Sequence, residues 1–200
     1  MSADESVLIR DVSESLRKLI SENIAELNQK VTLESPAEID IQPSSEDKLS
    51  LFLYQIVENP DLKNQYNQQM QASMDRRNVT MHYPPLALDL FYLLTPFFRD
   101  KDKEQIALTK LVRLLYDNAT LSGTILGNNL LLSGNSELRI EMITRSMEQI
   151  NQLWSLFQGQ PYRLSLSYVV TPLRIPSRRD LGQQRAISKQ TDYYYWRKEF

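Results

Sequence analysis

The sequence predicts an α+β fold, a single domain in which helices pack on one mixed or antiparallel sheet. Three observations carry this prediction. Segments 5–28 and 102–118 repeat apolar residues at helical spacing. Segments 49–57, 138–144 and 163–175 alternate with strand periodicity and are rich in aromatic and branched side chains. Between them lies YPPLALDLFYLLTPFF, residues 83–98, which is apolar on both alternating sets and therefore calls for cover on two sides. With 200 residues, 42% hydrophobic and 24% charged, the chain suits one sizeable core and has the composition of a folded protein.

In chain order, the first helix places Leu8, Val12, Leu16, Leu19, Ile20, Ile24 and Leu27 on one face, and Ser2 and Glu5 have capping-box spacing. Short β-prone pieces around Pro36 and a polar loop at 44–47 lead into the strand at 49–57. Residues 60–82 are rich in Asn, Gln and Met without an apolar period, so they read as a long exposed connection. In the next strand Leu86, Leu88, Leu90, Tyr92 and Leu94 point one way and Ala87, Asp89, Phe91, Leu93 and Thr95 the other. That places it at the centre of the sheet, with Pro84, Pro85 and Pro96 near its ends, where a missing donor is tolerable. Asp89 is the exception. It must find a donor, by capping a neighbouring helix or by pairing with an arginine on the sheet face.

The second helix is expected to bury Ile106, Leu108, Leu111, Val112, Leu115 and Tyr116 and to stop near Asn118, before a turn-rich segment holding Gly123, Gly127 and Gly134. Ser146 and Gln149 have the spacing of a capping box for a third helix, with a face of Met147, Ile150, Leu153, Trp154 and Phe157 and an end at Gly159. The last strand follows at 163–175. Residues 1–177 thus read as the domain and 178–200 as an aromatic and basic C-terminal tail.

The residue inventory removes most chemistry. There is no cysteine, which excludes disulfides, thiolate metal sites and cysteine nucleophiles. The one histidine, His82, has no ligand-type neighbour at a recognised spacing and reads as a surface residue. GTILGNN lacks the Lys-Ser/Thr of a phosphate loop, and no dinucleotide fingerprint follows a strand. Asp100, Asp102 and Glu104 gather at a helix start, where negative charge complements the helix dipole. The chain reads as a non-enzyme with no cofactor, metal or small-molecule substrate. The run at 83–98, broken by Asp89, Thr95 and Pro96, is too short to span a membrane. The opening MSADESVLIRD is acidic where a signal peptide is basic, which points to the cytoplasm.

Two features point to contacts. Residues 1–58 carry 12 acids and 5 bases, while the remainder carries 13 acids and 18 bases, a polarity suited to head-to-tail association. The tail sets Arg178, Arg179 and Arg185 beside Tyr193, Tyr194, Tyr195, Trp196 and Arg197. Aromatics with basic residues anchor protein interfaces, and they also stack the bases of single-stranded nucleic acid. Protein docking is the favoured reading because the whole chain is acidic, with a net charge of −2.

Four segments in order, LSLFLYQIVENPDLKN (49–64), YPPLALDLFYLLTPF (83–97), LVRLLYDNATLSGTIL (111–126) and LWSLFQGQPYRLSLSYVVTPLRI (153–175), resemble one family. They are similar to the tail-terminator, or cap, proteins of phage-tail-like contractile injection systems. The likeness runs from about residue 7 to 175, with PPLALDL followed by YLLTP, and PYRLS followed by a strand, as its more specific parts. It implies an α+β subunit that forms a homo-hexameric ring at the end of the inner tube and touches the last sheath layer. Its partners would be copies of itself, the tube protein and the sheath protein, in particles assembled in the bacterial cytoplasm. No role carries over onto residues after Ile175. An independent binding module, with the tail as a nucleic-acid contact, is the alternative.

Overall fold

The computed structural model describes residues 4–39, 46–63, 78–82, 84–157, 159–178 and 180–185. In chain order the elements are α1 (Leu8–Asn23), β1 (Val31–Thr32), β2 (Lys48–Glu58), β3 (Asn78–His82), β4 (Leu86–Phe97), α2 (Lys101–Asp117), β5 (Thr120–Ser122), α3 (Asn128–Leu132), β6 (Glu137–Met142), α4 (Met147–Trp154), β7 (Leu166–Ile175) and β8 (Asp180–Arg185). They fall into two compact units, one of Met1–Asn64 with Pro85–Pro176, the other of Gln65–Pro84 with Ser177–Phe200.

The large unit holds a six-stranded sheet in the order β1-β2-β4-β7-β6-β5. Only the β1–β2 pair is parallel, so the sheet is mixed, as the sequence predicts. β4 sits inside it, antiparallel to β2 and to β7, because a strand apolar on both sides has no stable place at an edge. Leu88, Leu90, Tyr92 and Leu94 pack with Leu49, Leu51, Tyr168 and Val170 against Leu8, Val12, Leu16 and Ile20 of α1 and Leu111 and Leu115 of α2. On the opposite face Leu93 meets Trp154 and Phe157, with Phe52, Tyr54, Ile150 and Leu153 beside them. This second cover reaches only one end of β4. The other end of the same face carries Asp89 and is lined by polar side chains of β6 and β7.

The helices form where the sequence places them, with corrections at their ends and faces. Asp4 caps the start of the first helical segment by accepting from Ser6 N at 3.1 Å; the capping box expected of Ser2 and Glu5 involves a residue, Ser2, that lies outside the described residues. Regular α-helix covers only Leu8–Asn23, with short 3₁₀ turns at Glu5–Val7 and Ala25–Leu27. Asp100 caps α2 through Asp102 N at 2.9 Å and Lys103 N. The capping box of α4 is present in both directions, Gln149 N to Ser146 Oγ at 3.3 Å and Ser146 N to Gln149 Oε1 at 3.1 Å. That helix ends at Trp154, short of Gly159, and Met147 is exposed rather than part of its buried face.

α2 is rotated relative to expectation. It buries Glu104, Ala107, Leu108, Leu111 and Leu115, while Ile106, Val112 and Tyr116 face outward. The buried stripe is narrow, and Glu104 and Ala107 complete it, although the larger Ile106 stands next to Ala107. A further helix, α3, forms in the segment expected to be turns only.

Among its described residues the small unit holds a two-stranded antiparallel ribbon in which Asn78 lies opposite Arg185 and His82 opposite Asp180. The connection expected over 60–82 therefore ends in a strand, and the tail expected to lack a pattern begins with one. DLGQQR has no apolar alternation to betray it. Its strand character comes from backbone pairing with residues about a hundred positions earlier.

Tyr92 is fully buried, and its hydroxyl lies 2.8 Å from Ser13 Oγ, tying β4 to α1. Burial pushes its phenol from the ordinary 10 up to about 12, against a smaller opposing effect of the Ser13 hydrogen bond. Because the folded protein holds this proton more tightly, the associated stability is complete below pH ~10 and is lost as pH rises to ~12, by up to roughly 3 kcal/mol. Urea midpoints should fall across that interval. Tyr92→Phe should flatten the fall, leaving a smaller slope of the same sign from Tyr54 and Tyr168, whose phenols burial also raises.

Candidate functional site

Asp89 finds donors other than the two expected. Neither a helix end nor an arginine meets it. Thr171 Oγ1 on β7 donates to its Oδ1, and so does Asn59 Nδ2, at 2.9 Å. Asn59 follows β2 directly. Its backbone N–H reaches Ala87 O at 2.9 Å, and its side-chain carbonyl accepts from Asp61 N at 3.1 Å and Leu62 N at 3.0 Å. One carboxylate thus joins three strands' worth of chain and fixes the turn that leaves β2. This accounts for the acid without assigning it chemistry, since a half-buried carboxylate with two donors is satisfied.

A groove of about 300 Å³ lies beside this network, lined by Asn59, Asp61, Glu137, Arg139, Glu141 and Arg174 among others. A larger cleft, about 660 Å³, runs along α1, where Glu14 pairs with Arg17 and Lys18 with Glu22. Its charges largely satisfy one another. A third pocket of about 210 Å³ lies between β7 and α4 and is lined by Leu93, Ile150, Leu153 and Trp154. Arg145 closes its side: Nε donates to Ser167 Oγ at 3.2 Å, Nη2 donates to Tyr54 OH, and the guanidinium stacks 5.1 Å from the Tyr54 ring. Burial raises the Tyr54 phenol, and the neighbouring Arg145 charge pulls it back. Among the described residues no group of three or more His, Cys, Asp or Glu could hold a metal, and no helix is long and apolar enough to cross a membrane.

The two sequence signatures meet physically. Arg163 of PYRLS lies over Phe97 of YLLTPF, 5.1 Å from the ring centroid, and its Nη1 is 3.7 Å from Glu104 Oε2. Glu104 is buried and is also held by Lys101 Nζ at 2.9 and 3.1 Å. Among the described residues Arg163 Nε and Nη1 have no hydrogen-bond partner, and the ring face and the charge of Glu104 carry the contact. The motif is a structural joint between β4, α2 and the chain entering β7.

The surface is richer in contact-type residues than the sequence reading anticipated. Between residues 142 and 164, Met142, Met147, Leu156, Tyr162 and Leu164 are all more than half exposed. Tyr162 stacks edge-on against Trp154, with centroids 5.5 Å apart. Apolar side chains displayed this way mark interaction surfaces. Periodicity alone hid them, because α4 and the strand after it carry more apolar residues than their buried faces use.

Of the residues singled out in the tail, Arg178 is exposed, and Arg185 ends β8, its backbone opposite Asn78. Arg179, Tyr193, Tyr194, Tyr195, Trp196 and Arg197 lie outside the described residues.

The model of the Pvc16 N-terminal domain family matches residues 11–189. Four solved chains share the fold. One is a sheath/tube terminator of an extracellular contractile injection system, PVC, in its extended state, with a TM-score of 0.63 and 16% identity over 96% of this chain. Another is the tube-terminating cap of the anti-feeding prophage, with a TM-score of 0.56 and 18% identity over 92% of this chain. The chain spans 65% and 60% of the length of those two, and at these identities the likeness is one of fold. No curated protein matches it significantly.

The Asp89 network generates a direct expectation. Asn59→Ala removes the donor to Asp89 and both acceptor contacts of the turn, and should cost about 1–3 kcal/mol in urea denaturation. Asp89→Asn, which leaves an amide oxygen for Thr171, should cost less. Equal and negligible effects of both would show that the network is not a structural clamp.

Proposed function

The chain belongs to the Pvc16 N-terminal domain family, and from that premise we propose that it is a structural cap of a contractile injection system. In this reading it forms a ring on the last layer of inner tube and sheath and ends their polymerisation. The single observation that carries the proposal is the family match across residues 11–189, supported by likeness of fold to two terminators over more than nine-tenths of the chain.

The physics of the task fits the residues. Tube and sheath grow as open polymers because each ring offers the next a heterologous surface. A terminator must complement that surface on one side and present no copy of it on the other. This needs shape, exposed apolar contacts and charge, and no reaction. The exposed apolar segment at 142–164 and the outward face of α2, with Ile106, Val112 and Tyr116, are the contact surfaces offered to tube and sheath. Six copies closing into a ring, assembly in the cytoplasm and the absence of catalysis are parts of the same proposal. Single-stranded nucleic-acid binding, the alternative from the tail composition, draws on no described contact.

Electron microscopy of particles from a host lacking the gene tests the proposal. Overlong tubes, uneven sheaths or particles that shed sheath are expected. Uniform particles of normal length, with the protein restored making no difference, would overturn it. A second expectation concerns the tail. Truncation after Ser177 should leave the large unit folded, with its urea midpoint retained, yet unable to hold sheath; unchanged sheath retention would remove the tail from the contact.

A further inference from the structure

The outer edge of β2 lacks a partner strand for most of its length among the described residues. β1 pairs only with Leu49 and Ser50, so Leu51 to Glu58 present one side of their backbone outward. The direction of each N–H follows from its neighbours. Leu49 N donates outward to Lys30 O at 2.9 Å, and Asn59 N donates inward to Ala87 O at 2.9 Å. Alternation along the strand, with one step absorbed by the irregularity between Leu53 and Gln55, turns the N–H groups of Leu51, Leu53, Ile56 and Glu58 away from β4. Open edges are usually kept short or guarded by lysine or proline. LFLYQIVE has neither, and its Ile56 and Val57 are 46% and 37% exposed.

The small unit has the complementary deficiency. A ribbon of two strands, five and six residues long, is marginal by itself and gains stability from a third strand. Neither β3 nor β8 pairs with any other strand among the described residues. Charge matches as well. The small unit contains eight bases and four acids, a balance of +4, and the large unit fifteen bases and twenty-one acids, a balance of −6. The division by unit is a physical one, whereas a division at residue 58 follows only chain order.

We propose that the open edge of β2 in one copy receives β8 of a second copy, extending its sheet by one strand. Main-chain hydrogen bonds supply the register, and the positive balance of the small unit as a whole, which lies outside the neutral ribbon itself, favours approach to the anionic large unit of the other copy. The contact is heterologous, since the donating and accepting surfaces differ, so repeated copies close into a ring when the rotation permits. The inference rests on the ring reading above and names the contact between its neighbours.

The absence of cysteine makes the test clean. Gln55→Cys and Gln183→Cys variants of the full chain are mixed and treated with a short bis-maleimide. A cross-linked dimer is expected, on the order of tenfold above a control mixture of Gln55→Cys with Arg113→Cys, whose site is exposed on α2. Adding Ile56→Pro to the Gln55→Cys chain removes only an outward N–H and should abolish the product, whereas Ile56→Thr should retain it. Product at the control level, or product undiminished by Ile56→Pro, would overturn the proposal. The two readings fail separately. Missing cross-links with overlong particles in the gene-deficient host would remove this contact alone, and uniform particles would remove the terminator reading.

Discussion

Everything in the large unit follows from one constraint, the burial of β4 on both faces. Its even-numbered side chains are all apolar, and its odd-numbered ones nearly so. Water can be excluded from both only if the strand has neighbours on each side and a layer above and below. β2 and β7 supply the neighbours, α1 and α2 the thicker layer, and α4 with Trp154 and Phe157 the thinner one. The two layers are unequal because the sequence holds two long amphipathic helices but only one short one free for the second face.

That inequality decides where polar groups go. The uncovered end of the second face carries Asp89, Glu137, Arg139 and Glu141, side chains that would be costly under a full apolar layer. Asp89 is the most enclosed of these in function, because it ties the end of β2 to β7 through Asn59 and Thr171. Arg163 does the corresponding work at the other end, where Phe97 and Glu104 hold the chain that enters β7. Polar residues that look like candidates for chemistry are thus the fasteners of a sheet covered unevenly.

Much of this was legible in the residues. The alternation in 83–98 was sufficient for the central strand and for placing Leu88, Leu90, Tyr92 and Leu94 on one face and Leu93 on the other, and the Ser146–Gln149 spacing was sufficient for the start of α4. The resemblance carried by PPLALDL, YLLTP and PYRLS led to the right family. The face of α2 was not legible, because Ile106, Val112 and Tyr116 have the same apolar character as the residues that are buried. Only the position of the sheet beneath the helix distinguishes them. The donors to Asp89 were equally hidden, since Asn59 and Thr171 are far apart in sequence and neither is charged.

The sequence by itself determined the elements and their periods, the absence of cysteine, and the need for a doubly covered strand, because these depend on residue type and local spacing. Tertiary structure alone decided that NVTMH and DLGQQR are strands, that β2 has a long outer edge beyond Ser50, and that acidic and basic residues separate by unit. Each of those rests on which backbone groups find partners across long stretches of chain. Backbone pairing does not require a side-chain pattern, so a strand such as DLGQQR, which lacks apolar alternation, is recognised only when the fold gives it a partner.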